Sequence, residues 1–300
     1  MIDAKDYKAI DAKDHKTAYA LGILHEDMRK DYLKAIEWYE IAHKLGEKRA
    51  AYALGIVCQN YIKNYEKTIE WYEIAHKLGE KRAAYALGLF YKQTLKDYPK
   101  AIEWYEISHK MGGVQAAYAL GIVYEDIFQD YPKAIEWYEI AHNINKDRKA
   151  AYALGKLYDD ILKDYPNAVK WFEIAYDQGN TNAAYALGIV CQNYIKNYEK
   201  AIEWYEIAHK LGEKRAAYAL GKLYDDILKD YPSAKKWYEI AHKQNKKHYG
   251  AIVRIAVMYL EGRGVNKNMI KARSLLEKAA KGGSEKAKQI LALFDANKSK

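Results

Sequence analysis

The pentapeptide AYALG occurs seven times in this chain, its first alanine falling at Ala18, Ala51, Ala84, Ala117, Ala151, Ala184 and Ala217. Successive copies are 33, 33, 33, 34, 33 and 33 residues apart. A segment that recurs at such a period is one supersecondary unit, unable to bury its apolar face alone and stabilised by stacking on copies of itself. The 300 residues are therefore expected to form one elongated solenoid with contacts between neighbouring repeats, rather than two globular domains. Residues 51–83 and 184–216 differ at a single position, Thr68 against Ala201, which points to duplication of a block.

Each unit reads as a helix hairpin. In residues 117–150, small and apolar residues at Ala117, Leu120, Gly121 and Tyr124 give a stripe of helical period, predicting a first helix from about Ala117 to Phe128. Asp130 is placed to cap the amides of a second helix, and Pro132 suits its first turn, where no amide donor is needed. Asp31, Asn64, Asp97, Asp164, Asn197 and Asp230 repeat this signal. The second helix carries Ala35, Trp38, Tyr39 and Ala42 on one face, and all seven tryptophans of the chain fall at this one repeat position. Gly46, Gly79, Gly112, Gly179 and Gly212 follow it as left-handed C-caps.

Thirty tyrosines with only four prolines supply ample surface to bury, so a folded chain is expected despite 30% charged residues. The opening MIDAKDYKAIDAKDHK has no apolar core, and no stretch approaches about 18 consecutive apolar residues. The expectation is a cytoplasmic protein with no membrane insertion. Cys58 and Cys191 occupy equivalent positions four repeats apart, read as buried thiols in a reducing compartment. The formal net charge of +9 makes nucleic acid or an acidic surface a candidate partner.

The last unit, Tyr259 to Gly283, resembles a Sel1-like repeat through Tyr259, Gly262, Gly264, Val265, Lys271, Ala272, Lys278, Ala279, Ala280 and Gly283. The seven earlier units resemble the same family through Leu-Gly-x-x-Tyr, Lys-Ala-x-x-Trp and the closing alanine and glycine. They depart from it in a shorter interhelical loop without Gly-x-Gly, close to the related tetratricopeptide length, and in a histidine at the second alanine of Lys-Ala-Ala (His43, His76, His109, His142, His209 and His242). The resemblance implies an all-α fold, a right-handed superhelical α/α solenoid of about eight Sel1-like or tetratricopeptide-like helix-turn-helix repeats. Its parts are expected to be a degenerate N-terminal capping helix over residues 1–17, repeats over 18–283 starting near 18, 51, 84, 117, 151, 184, 217 and 252, a C-terminal capping helix over 284–294, and a tail over 295–300.

The resemblance further implies a non-enzymatic scaffold or adaptor that receives a protein or extended peptide on a concave face lined by first helices. On that face the residue three before the glycine is Tyr19, Tyr52, Tyr85, Tyr118, Tyr152, Tyr185 and Tyr218, a ladder that either lines the groove or packs between neighbouring repeats. Seven residues further along the helix stand Glu26, Gln59, Lys92, Glu125, Asp159, Gln192 and Asp225, while Arg49, Arg82, Lys149 and Arg215 precede the ladder. One edge of the face thus reads as basic and the other as partly acidic, which suits a charged peptide better than a phosphate backbone. The histidine series reads as helix-end residues rather than a metal site, because equivalent residues of stacked helices lie roughly 10 Å apart. No nucleophile with a base, phosphate loop or His-Glu-x-x-His helix is present, so no catalytic residue, metal or cofactor is expected. The alternative function is a nucleic-acid-binding helical array, in which the aromatic rings stack on bases.

Overall fold

The computed structural model describes residues 14–245 and 249–296. All regular structure among them is helical, and the chain divides into two compact units, residues 1–145 and 146–300. The first unit contains α1 (His15–Ile23), α2 (Tyr32–Lys44), α3 (Lys48–Val57), α4 (Tyr65–Lys77), α5 (Lys81–Phe90), α6 (Tyr98–Lys110), α7 (Val114–Val123) and α8 (Tyr131–Asn145). The second contains α9 (Arg148–Lys156), α10 (Tyr165–Asp177), α11 (Thr181–Val190), α12 (Tyr198–Lys210), α13 (Lys214–Lys222), α14 (Tyr231–Gln244), α15 (Tyr249–Glu261), α16 (Met269–Lys281) and α17 (Glu285–Ala296). Within each unit, consecutive helices pack as antiparallel hairpins that stack on the next hairpin. Most of the expected N-terminal capping helix, up to residue 13, and the last four residues of the expected tail, 297–300, lie outside the described residues.

Three local devices make the hairpin. From α1 to α13 each odd-numbered helix runs on into a widened π-helical turn, such as Cys58–Ile62 after α3 and Tyr91–Leu95 after α5. The turn closes on a left-handed residue, Lys30, Lys63, Lys96, Gln129, Lys163, Lys196 or Lys229, with φ of 53–60°. The next residue is the predicted cap: the carboxylate or amide oxygen of Asp31, Asn64, Asp97, Asp130, Asp164, Asn197 or Asp230 accepts the amide N–H three residues on. At the far end, Gly46 takes φ of 96°, which only glycine adopts without strain, and the Glu47 amide donates back to the Ala42 carbonyl at 2.9 Å.

The core of each hairpin is a glycine against an aromatic ring. The glycine of AYALG lies flat against a buried ring of the second helix: a Cβ built on Gly88 would sit 2.5 Å from Cδ1 of Tyr105, which is 0% exposed. The same pairing joins Gly22 to Tyr39, Gly55 to Tyr72, Gly121 to Tyr138, Gly155 to Phe172, Gly188 to Tyr205 and Gly221 to Tyr238. Between hairpins, the second-helix histidine meets the tryptophan of the following repeat edge-on. His76 and Trp104, for example, have centroids 5.3 Å apart at 87°. The pattern recurs at His43 with Trp71, His109 with Trp137 and His209 with Trp237, with Tyr176 replacing histidine against Trp204. Four of the six repeat histidines, His43, His76, His109 and His209, are thus packing contacts between repeats. Cys58 and Cys191 are buried free thiols, and burial pushes both up from the usual thiol range.

Candidate functional site

The ladder tyrosines stand on the first helices, each half-buried. One ring face packs on the buried ring of the same repeat: Tyr19 on Tyr39, Tyr52 on Tyr72, Tyr85 on Tyr105, Tyr118 on Tyr138, Tyr152 on Phe172, Tyr185 on Tyr205 and Tyr218 on Tyr238, at 5.5–5.7 Å between centroids. Burial raises the phenols of Tyr19, Tyr52, Tyr85, Tyr152 and Tyr185 above their ordinary range, so all five are neutral donors near neutral pH.

In three repeats the exposed ring face carries the next repeat's arginine. The guanidinium carbon lies 4.7 Å over the Tyr19 ring for Arg49, 4.7 Å over Tyr52 for Arg82 and 4.5 Å over Tyr185 for Arg215. Each arginine is also gripped by the glutamate that caps its own helix. Arg82 Nε and Nη2 donate to Glu80 at 2.8 and 2.9 Å, while the Arg82 amide donates to the same carboxylate at 3.2 Å. Glu47 with Arg49 and Glu213 with Arg215 repeat this arrangement. The arginine hydrogen bonds hold all three glutamates below the usual carboxylate range. The cationic row read from sequence is therefore matched by carboxylates of the chain itself, two positions upstream. Lys149 stands at the corresponding place in α9, its amide donating to Asp147 at 2.7 Å.

The polar row beyond the ladder receives the buried hydroxyls. The Tyr39 hydroxyl donates to Glu26 at 2.7 Å, Tyr72 to Gln59 at 2.9 Å and Tyr205 to Gln192 at 3.0 Å, and Tyr138 donates to Glu125. Asp225 is 0% exposed, accepts from Tyr238 at 3.2 Å and lies 2.8 Å from Nη1 of Arg263, tying the seventh repeat to the eighth. In the fifth repeat the ring is Phe172, which has no hydroxyl. Its counterpart Asp159 has one buried carboxylate oxygen without a hydrogen bond, and burial raises its pKa.

Two cavities open on the ladder, one in each unit. In the first, an open recess of about 560 Å³ is lined by Tyr52, Gln59, Tyr72, Arg82, Tyr85, Leu89 and the start of α7. In the second, about 300 Å³ lies among Tyr185, Gln192, Tyr205, Tyr218 and Lys222. The start of α7 was not among the residues singled out from sequence, although the signal is present. Gly46-Glu47-Lys48-Arg49 recurs as Gly79-Glu80-Lys81-Arg82, whereas the fourth repeat reads Gly112-Gly113-Val114-Gln115. A third cavity, of about 550 Å³, lies between second helices beside His242 and Leu275, where the repeating tryptophan is replaced by leucine. Among the described residues no three His, Cys, Asp or Glu side chains converge to hold a metal ion, and no helix is long and apolar enough to cross a membrane.

A family model described as Sel1 repeat matches residues 15–47, 43–80, 81–112, 114–141, 148–180, 181–213, 214–246 and 250–284. Among solved structures, the chain is similar to a Sel1 repeat protein from Oxalobacter formigenes at 24% identity and a TM-score of 0.66, over 97% of this chain and 89% of that one. It also matches c5321, a protective antigen of uropathogenic Escherichia coli strains displaying an SLR fold, at 20% identity and a TM-score of 0.43, over 96% of this chain and 81% of that one. No curated protein matches the chain.

Proposed function

Because the chain belongs to the Sel1 repeat family, whose helical-repeat fold commonly mediates protein–protein interaction, we propose that it is a non-enzymatic scaffold or adaptor binding a protein or extended peptide along its first-helix face. The observation that carries this reading is the placement of the two ladder cavities. Each unit opens a recess on its own ladder tyrosines, at 560 and 300 Å³, sizes that accept peptide side chains. Half-buried phenols supply large rigid contact area with a polar tip, the composition of a binding surface. Nucleic acid is the weaker reading, because Arg49, Arg82 and Arg215 are already neutralised by Glu47, Glu80 and Glu213 and release few counterions on binding a phosphate backbone.

The test is capture of partners from a source lysate, with and without nuclease, on immobilised wild-type chain and on a variant carrying Tyr52→Ala, Tyr85→Ala, Tyr185→Ala and Tyr218→Ala. A protein that survives nuclease and is lost with the variant, at unchanged helicity by circular dichroism, supports the first-helix face. Capture retained by the folded variant would refute it, and signal that vanishes with nuclease would transfer the face to nucleic acid.

A further inference from the structure

Six first helices have a side-chain acceptor at their N-terminus: Asp14, Glu47, Glu80, Asp147, Asn180 and Glu213. The N-cap of helix α7 is instead Gly113, which supplies no side-chain acceptor. The Gln115 amide occupies the place from which the Arg49, Arg82 and Arg215 amides donate to a glutamate, and at α7 that glutamate is missing. The loss removes both partners of the capping pair. With Gln115 in place of arginine, no guanidinium covers Tyr85, whereas Tyr52 one repeat earlier lies under Arg82. Two residues vanish from the packing at one point, and the 560 Å³ cavity lies there.

An independent observation points into the same recess. The position of Ala42, Ala75 and Ala141 is Ser108 in the third repeat. Ser108 is 1% exposed, its hydroxyl has no hydrogen-bond partner, and it lines the cavity. Its Oγ stands against Gly113, where any Cβ would collide with it. A buried hydroxyl left unpaired costs roughly 1–3 kcal/mol, so an acceptor that reaches it is rewarded. Lys81 lines the same cavity and adds positive charge, and the N-terminus of α7 adds the positive end of a helix dipole.

We propose that this cavity anchors a carboxylate of the bound peptide, which takes the place held in other repeats by Glu47, Glu80 and Glu213. The carboxylate accepts from the α7 N-terminus and from Ser108 Oγ, and the adjoining apolar side chain lies over the uncovered Tyr85 ring and against Leu89. The proposal rests on the first-helix reading and makes it specific: the recess selects an acidic group beside an apolar one. Both a C-terminal carboxylate and an aspartate side chain supply that chemistry.

The test uses three probes titrated into the full chain and followed at the Gln115 amide by NMR: N-acetylphenylalanine, N-acetylaspartylphenylalaninamide and N-acetylphenylalaninamide. At least one acidic probe is expected to bind roughly tenfold or more tightly than the neutral amide, the margin of one charge-assisted hydrogen bond. Which acidic probe wins identifies a chain end or a side chain as the source. The triple variant Ser108→Ala, Gly113→Glu, Gln115→Arg rebuilds the capping pair of the other repeats and is expected to abolish binding while raising thermal stability. Ser108→Ala alone is expected to weaken the acidic probes several-fold and leave the neutral one unchanged. Equal affinity for acidic and neutral probes, or undiminished binding by the triple variant, overturns the proposal. Either result with partner capture still lost in the tyrosine variant would remove the carboxylate site and leave the first-helix reading standing.

Discussion

At the scale of residues, two sets of carboxylates with opposite environments decide how stability responds to pH. Glu47, Glu80 and Glu213 have depressed pKa values, so their contribution is present above the unfolded carboxylate pKa and is lost as pH falls through the folded one. Asp159 runs the other way. Burial raises its pKa, so folding is favoured at low pH and that advantage disappears as pH rises through the folded value. The cause is local: every other described repeat with a tyrosine at this place and a carboxylate or amide opposite donates a hydroxyl, and Phe172 does not. Phe172→Tyr is expected to raise stability by about 1 kcal/mol at neutral pH, below the usual range for a bond to a charged group because Asp159 is only half-buried. At about pH 4, where the carboxylate is partly protonated, the gain is expected to shrink. Urea unfolding at the two pH values checks this, and an equal gain at both would show that the added hydroxyl is not serving Asp159.

At the scale of elements, the contact that fixes each hairpin is the flat approach of a second-helix ring to a first-helix glycine. Two effects compete when that glycine is filled. Alanine favours the helix by about 1 kcal/mol, but the new Cβ on Gly88 would lie 2.5 Å from Cδ1 and 3.0 Å from Cγ of a fully buried Tyr105. Overpacking of that kind costs about 1–3 kcal/mol. The ring has no room to retreat, so Gly88→Ala is expected to lower the unfolding midpoint, and a raised midpoint would mean the hairpin slides apart at little cost. Much of this element was legible in the sequence: the period, the Asp or Asn caps, the glycine stops and the aromatic stripe on the second helix all carry local chemical signals. The π-helical turns were not, because widening a helix by one residue per turn leaves no mark in apolar spacing. Nor were the left-handed residues, since six of the seven are lysine, which has no preference for that conformation. The arginine lids over Tyr19, Tyr52 and Tyr185 join residues 30 apart in different repeats, and such pairs become visible only once the stacking register is known. That register also explains why Arg49, Arg82 and Arg215 read as a free cationic edge in the sequence and emerge as internal ion pairs.

At the scale of the whole molecule, duplication has produced near-identical hairpins and a few informative departures from them. Gly113 with Gln115 removes both partners of a contact repeated elsewhere, Phe172 and Leu275 remove one partner each, and two of the three departures adjoin cavities of 560 and 550 Å³. A repeat sequence therefore marks its own candidate sites by exception, where a globular sequence would need comparison with relatives. The nearest-neighbour character of the packing within each unit has a mechanical consequence as well. Every ring-to-glycine and histidine-to-tryptophan contact is confined to one hairpin or an adjoining pair, so tension applied to the chain ends meets a series of similar small latches. Drawn out in an optical trap, the protein is expected to lengthen in a staircase whose smallest tread is one hairpin of 33 residues, about 110–120 Å of extended chain, while a single rupture of the full length would contradict it. A chain built this way yields by paying out slack a notch at a time, as a spring held by many small catches does.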